Sequence, residues 1–141
     1  MKAFQFVEWQ KPGGIREVPV PDPGPGQVLM KVGGAGACHS DLHIMEAPAG
    51  SKPFQLPFTL GHENAGWVEK LGPGATGFAP GDPVIVYGPW GCGSCADVVN
   101  LAQAGKIRML IEYFPLERAG EAYRSLHDGK IQGRAVITPN D

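Results

Sequence analysis

Pro23-Gly24-Pro25-Gly26-Gln27-Val28-Leu29-Met30-Lys31-Val32 sets the character of the chain: a doubled Pro-Gly turn runs straight into a short apolar segment. Proline fixes φ and glycine opens positive φ, so this pair reverses the backbone sharply, and the apolar residues that follow read as a strand. The arrangement recurs outward from this point. Residues 2–9 alternate polar and apolar side chains, as a half-buried strand does, and residues 65–71 supply another strand. Residues 83–87 carry Val84, Ile85 and Val86 in a row, the pattern of a strand covered on both faces. Gly 21 and Pro 14 form about a quarter of the 141 residues, against an average usage of roughly 12%. Most of that excess lies before residue 95, so the first two-thirds should be short strands joined by tight turns, a small barrel or sandwich.

Beyond residue 95 the texture changes. Residues 96–104 place Val98, Leu101 and Ala102 at helical spacing, with Gly105 where a helix-ending glycine belongs. Residues 109–114 are strand-like. Leu116, Ala119, Tyr123 and Leu126 share one face of a second helix, which Gly129 stops, and residues 134–138 form a last strand. No internal repeat or low-complexity segment interrupts this order.

Bulk properties narrow the function classes. The length fits one domain, and 43% apolar with 18% charged residues suits a soluble globular chain. A formal net charge of −2 gives no reason to expect nucleic acid or an anionic membrane as partner. No apolar run approaches the roughly 18 residues of a membrane span, and the N-terminus lacks a signal-peptide core. Three cysteines argue for reduced thiols or metal ligands rather than a disulfide framework, so a cytoplasmic location is expected.

Chemistry gathers in two places: Cys38-His39-Ser40-Asp41-Leu42-His43, after the flexible-looking Gly33-Gly34-Ala35-Gly36, and Gly61-His62-Glu63. Thiolate and imidazole are the ligands zinc prefers. Cys38 and His62 stand 24 residues apart, too far for a local zinc knuckle, so they meet only if the strands around them fold back on each other. Read singly, each has a plainer explanation: a buried cysteine is most often a small hydrophobe, and a lone histidine a satisfied side chain.

These two runs, with Asn64-Ala65-Gly66 after the second, with the turn of residues 72–82 and with Gly91-Cys92-Gly93-Ser94-Cys95, resemble the zinc-dependent medium-chain alcohol dehydrogenases. Tyr87-Gly88-Pro89-Trp90-Gly91 is similar to the bacterial secondary-alcohol type. The resemblance implies a mainly β fold with flanking helices (α+β): the GroES-like β-barrel of that family's catalytic domain, with the helices of residues 96–127 packed on it. It makes Cys38 and His62 ligands of a catalytic zinc and Glu63 the carboxylate beside the metal. Asp41 becomes the acid that orients His62, while Ser40 and His43 match the proton relay. The residues themselves allow something simpler: Ser40 and Asp41 as N-caps of a helix over residues 42–46, and His43 as an exposed residue on it.

The sequence also departs from the family. Hydride transfer needs a nucleotide-binding domain of on the order of 150 residues, and these residues have no room for one, so NAD is not expected to bind. Gly72-Pro73-Gly74-Ala75-Thr76-Gly77 satisfies the dinucleotide fingerprint but runs into Pro80, Gly81 and Pro83, which forbid the helix it must open. The third zinc ligand of the family is missing, and Val98 stands where its structural-zinc loop has a third cysteine. Cys92 and Cys95 are then left as a disulfide, a metal bridge across a dimer, or free thiols.

The expected organisation is a single domain, residues 1–141, joined from an N-terminal part (1–95) and a C-terminal return segment (96–141) by deletion of the central domain, whether engineered or evolved. The expected function is a Zn2+-binding domain with an open coordination position, little or no dehydrogenase activity alone, and weak hydrolysis at most. The alternatives are a dehydrogenase that borrows a nucleotide-binding partner, or a non-enzymatic scaffold. The expected partners are a small-molecule substrate or none, with self-association through apolar surface bared by the deletion.

Overall fold

The computed structural model describes residues 1–53, 55–86 and 95–139, with side chains throughout except at 95–98. Its elements run β1 (Lys2–Phe6), β2 (Gly14–Glu17), β3 (Val28–Gly36), α1 (His39–Glu46), β4 (Phe58–Thr59), β5 (Glu63–Leu71), β6 (Pro83–Ile85), α2 (Cys95–Gln103), β7 (Ile111–Pro115), α3 (Ala119–His127) and β8 (Arg134–Thr138). A short 3-10 turn, Leu116–Arg118, leads into α3. Two sheets result, one ordered β2-β1-β4 and the other β6-β5-β3-β8-β7. The mainly β, helix-flanked reading of the sequence therefore holds.

The core lies where the two sheets meet α1 and α3. Phe4 and Phe6 point the same way from β1, as a two-residue period requires, and Phe6 is fully buried. They pack with Leu42 from α1, with Leu116, and with Tyr123 and Leu126 from α3. The face of α3 read from the sequence is the buried one, and Gly129 ends the helix at φ 66°. Parallel pairing of β7 with β8 needs a crossover connection, which α3 supplies. Gly105 takes φ 69°, and Lys106 N–H reaches back to the carbonyl of Leu101, the closure expected after α2. The turn of residues 72–77 is a turn between strands, with Gly74 and Gly77 at positive φ.

Several expectations need correction. The strand of residues 2–9 stops at Phe6, because the chain turns at Gln10, φ 60°, and folds Trp9 edge-on against the Phe6 ring. Gly33–Gly36 is not a flexible connector but the end of β3. Gly36 pairs with Glu63 on one side and Val136 on the other. Its glycines answer to close approach: a methyl on Gly33 would sit 2.7 Å from the Trp67 ring. Val84 and Ile85 belong to β6, which is an edge strand among the described residues, with Val86 just after it, and Ile85 is 63% exposed. Tyr87, at the end of that expectation, lies outside the described residues. Of the helices expected to pack on the sheets, α3 does so, but residues 100–110 are exposed throughout, Leu101 included. The strands β2 and β4 carried no sequence signal. Both are short, and they are held by pairing with β1.

Candidate metal centre

Antiparallel pairing of β3 with β5 brings the chemistry together. Gly36, the last residue of β3, faces Glu63, the first of β5. Two residues beyond Gly36 the chain reaches Cys38. One residue before Glu63 it holds His62, set by Gly61 at φ 91°. Cys38 and His62 thus converge at one end of the sheet despite their separation in sequence. The ligand atoms of Cys38, His62 and Glu63 all lie within 4.8 Å of one another. Gly36 leaves room for this, since a Cβ there would collide with the Glu63 carboxylate.

Cys38 is the N-cap of α1, two residues before Ser40 and three before Asp41, where the caps were expected. Asp41 instead occupies the third helical position, where its Oδ2 accepts the Cys38 backbone N–H at 3.1 Å. That bond satisfies one of the four amides that a helix start leaves open. The other oxygen of Asp41 accepts from Nδ1 of His62 at 3.0 Å. An ionised carboxylate only accepts, so the Nδ1 proton is held there and the lone pair of Nε2 is left for a metal. Ser40 Oγ stands 3.4 Å from that same Nε2. His43 is exposed on α1, and among the described residues no hydrogen bond joins it to Ser40.

Two participants were not anticipated, and both come from the C-terminal part. The Tyr123 hydroxyl donates to Asp41 Oδ2 at 3.3 Å. Burial, then the Asp41 charge, pushes this phenol well above its ordinary range, which keeps it a protonated donor. Arg134, at the start of β8, forms an ion pair with Glu63. The apolar face of α3 gave a hint, since a tyrosine on it must find a partner for its hydroxyl. For Arg134 no local signal existed.

The donor set fits a zinc ion: one thiolate, one imidazole with its tautomer fixed, one carboxylate, and solvent access at His62, whose side chain is 51% exposed. A separate cavity of about 550 Å³ opens between residues 10–13, α1 and α3, and it shares only the Tyr123 side with this centre. The fate of Cys92 and Cys95 lies outside the described residues and side chains.

The family model for the alcohol dehydrogenase GroES-like domain matches residues 24–123. The chain belongs to this family. It is 48% identical over 98 residues to an alcohol dehydrogenase of Rhizobium meliloti, and 41% identical over 102 residues to an NAD-dependent alcohol dehydrogenase of Sulfurisphaera tokodaii. Both matches cover 67% of this chain but only 28% and 29% of the relatives. A cobalt- and zinc-bound thermostable alcohol dehydrogenase from Pyrobaculum aerophilum superposes with TM-score 0.57 at 37% identity, covering 71% of this chain and 30% of that one. The chain thus spans under a third of the length of the dehydrogenases it matches. No helix among the described residues is long and apolar enough to cross a membrane.

Proposed function

We propose that this GroES-like domain binds one zinc ion through Cys38, His62 and Glu63, and that by itself it does not oxidise alcohols with NAD. The observation that supports the zinc site is the convergence of those three ligand atoms within 4.8 Å, with Asp41 fixing the His62 tautomer. Held by Cys38, His62 and Glu63, a zinc ion would supply Lewis acidity and would acidify water beside it, which suits slow hydrolysis of activated esters. The protein's own groups do the rest. Asp41 orients His62, Arg134 holds the Glu63 carboxylate, and Ser40 offers a hydroxyl beside Nε2.

The second half of the proposal is supported by residues 1–141, whose one G-x-G-x-x-G match, residues 72–77, opens no helix of the kind a dinucleotide requires. On this reading the two parts of a catalytic domain, residues 1–95 and 96–141, are joined directly. The exposed apolar residues Leu101, Ile107, Met109, Leu110 and Tyr113 support self-association through the surface so bared.

The test is zinc content after dialysis against metal-free buffer. About one equivalent per chain is expected, lost in Cys38→Ser, together with no turnover of secondary alcohol and added NAD. Zinc near zero would overturn the metal reading, and alcohol oxidation by the isolated chain would overturn the second half.

A further inference from the structure

Asp41 is the one charged side chain buried among the described residues, at 1% exposure. Three donors reach it. Two belong to the candidate ligands themselves: the backbone N–H of Cys38 and Nδ1 of His62. The third, the hydroxyl of Tyr123, comes from α3, 82 residues further along the chain. The Tyr123 ring is not free to follow Asp41. It is buried and stacked on Phe4, centroids 5.4 Å apart and planes 20° apart. The hydroxyl is therefore a fixed point, and Asp41 must come to it.

We propose that Tyr123 is a positioning residue whose hydroxyl pins the Asp41 carboxylate and, through it, holds the His62 ring with Nε2 toward Cys38 and Glu63. Without that hydroxyl, Asp41 Oδ2 keeps only the Cys38 amide and the carboxylate gains freedom to turn about its terminal torsion, which is broad and soft. His62 is half-exposed, so it then exchanges its Asp41 bond for water and populates the other tautomer. Groups that orient a metal-bound histidine are worth about 10- to 100-fold in affinity. Tyr123 acts one bond further out, at the lower end of that range. Burial keeps the phenol protonated, so the tie persists through the pH range in which a zinc site is loaded. The affinity part of this inference rests on the zinc reading above. The tautomer part does not.

The experiment compares the wild-type chain with Tyr123→Phe, which keeps the ring on Phe4. Leu126→Ala, on the same buried face of α3, serves as a packing control. The His62 tautomer is read by long-range proton–nitrogen correlation in zinc-free protein with the imidazole neutral, and zinc affinity by competition with a chromophoric chelator. Wild type should hold its proton on Nδ1, Tyr123→Phe should show both tautomers and bind zinc about 10-fold more weakly, and Leu126→Ala should lose thermal stability with both readouts unchanged. A wild type with mixed tautomers, or a Tyr123→Phe protein with the wild-type tautomer whatever its affinity, would overturn the inference. So would a Leu126→Ala protein that moves both readouts as Tyr123→Phe does, because packing alone would then explain them. If no variant binds zinc but the tautomer shift appears, the positioning role stands and only the metal reading falls.

Discussion

Replacing Asp41 with alanine strips one carboxylate from three donors at once, and the structure sets how much that should cost. The three differ in what remains to them. His62 is 51% exposed and turns to water at little loss. The Cys38 amide is partly buried at the start of α1, and losing a capping interaction there costs about 1 kcal/mol. The Tyr123 hydroxyl is buried, and a buried donor left without a partner costs roughly 1–3 kcal/mol. Removing a buried carboxylate also relieves its desolvation, which offsets part of this. With that offset the expected net loss is about 2 kcal/mol, a sizeable share of the roughly 5–15 kcal/mol that holds a domain of this size together. The assay is urea unfolding of metal-free protein at pH 7, read as a shift of midpoint at constant m-value. Asp41→Asn, which keeps shape and some accepting capacity, should lose about half as much. A loss below about 1 kcal/mol for Asp41→Ala, or a gain, would mean that desolvation outweighs the three bonds and that the network does not hold the fold together.

The raised Tyr123 pKa makes stability fall at high pH. The folded chain keeps a proton that the unfolded chain releases near the ordinary value of 10.0, so the full contribution is present below that pH. It declines above it by at most ~1.4 kcal/mol per unit. Denaturant midpoints across this range should show the decline in wild type and a flatter profile in Tyr123→Phe. Gly66→Ala should cost several kcal/mol or prevent soluble expression, because its Cβ would collide with the Lys31 carbonyl oxygen, a clash only a backbone shift relieves. Sedimentation at increasing concentration should show self-association, reduced by Leu110→Lys at a residue 70% exposed. A clean monomer at high concentration would count against the bared-surface reading.

Local pattern was enough for some elements and not for others. The face of α3, the strand β8 and the turn of residues 72–77 were legible because periodicity and glycine placement are properties of a few neighbouring residues. Gly33–Gly36 misled, since glycines that make room for Trp67 and Glu63 look the same in sequence as glycines that loosen a loop. Val84-Ile85-Val86 misled because an apolar run does not say whether anything covers it. The meeting of Cys38 with His62 came from family resemblance; spacing alone left it open. The ties Tyr123–Asp41 and Arg134–Glu63 span 82 and 71 positions, and no local signal encodes a partner at that distance.

The strand β8 sits between β3 and β7, so the sheet closes a loop of about a hundred residues between Gly36 and Val136. Loop-closure entropy grows only with the logarithm of length: adding some 150 residues to such a loop costs roughly 0.8 kcal/mol at 25 °C. The junction between β6 and β7 can therefore lengthen or shorten at little loop-closure cost, and what such a change costs is set by the surface it covers or bares. What the remaining sheet registers is whether its last strand still finds its slot, a matter of search time more than of stability.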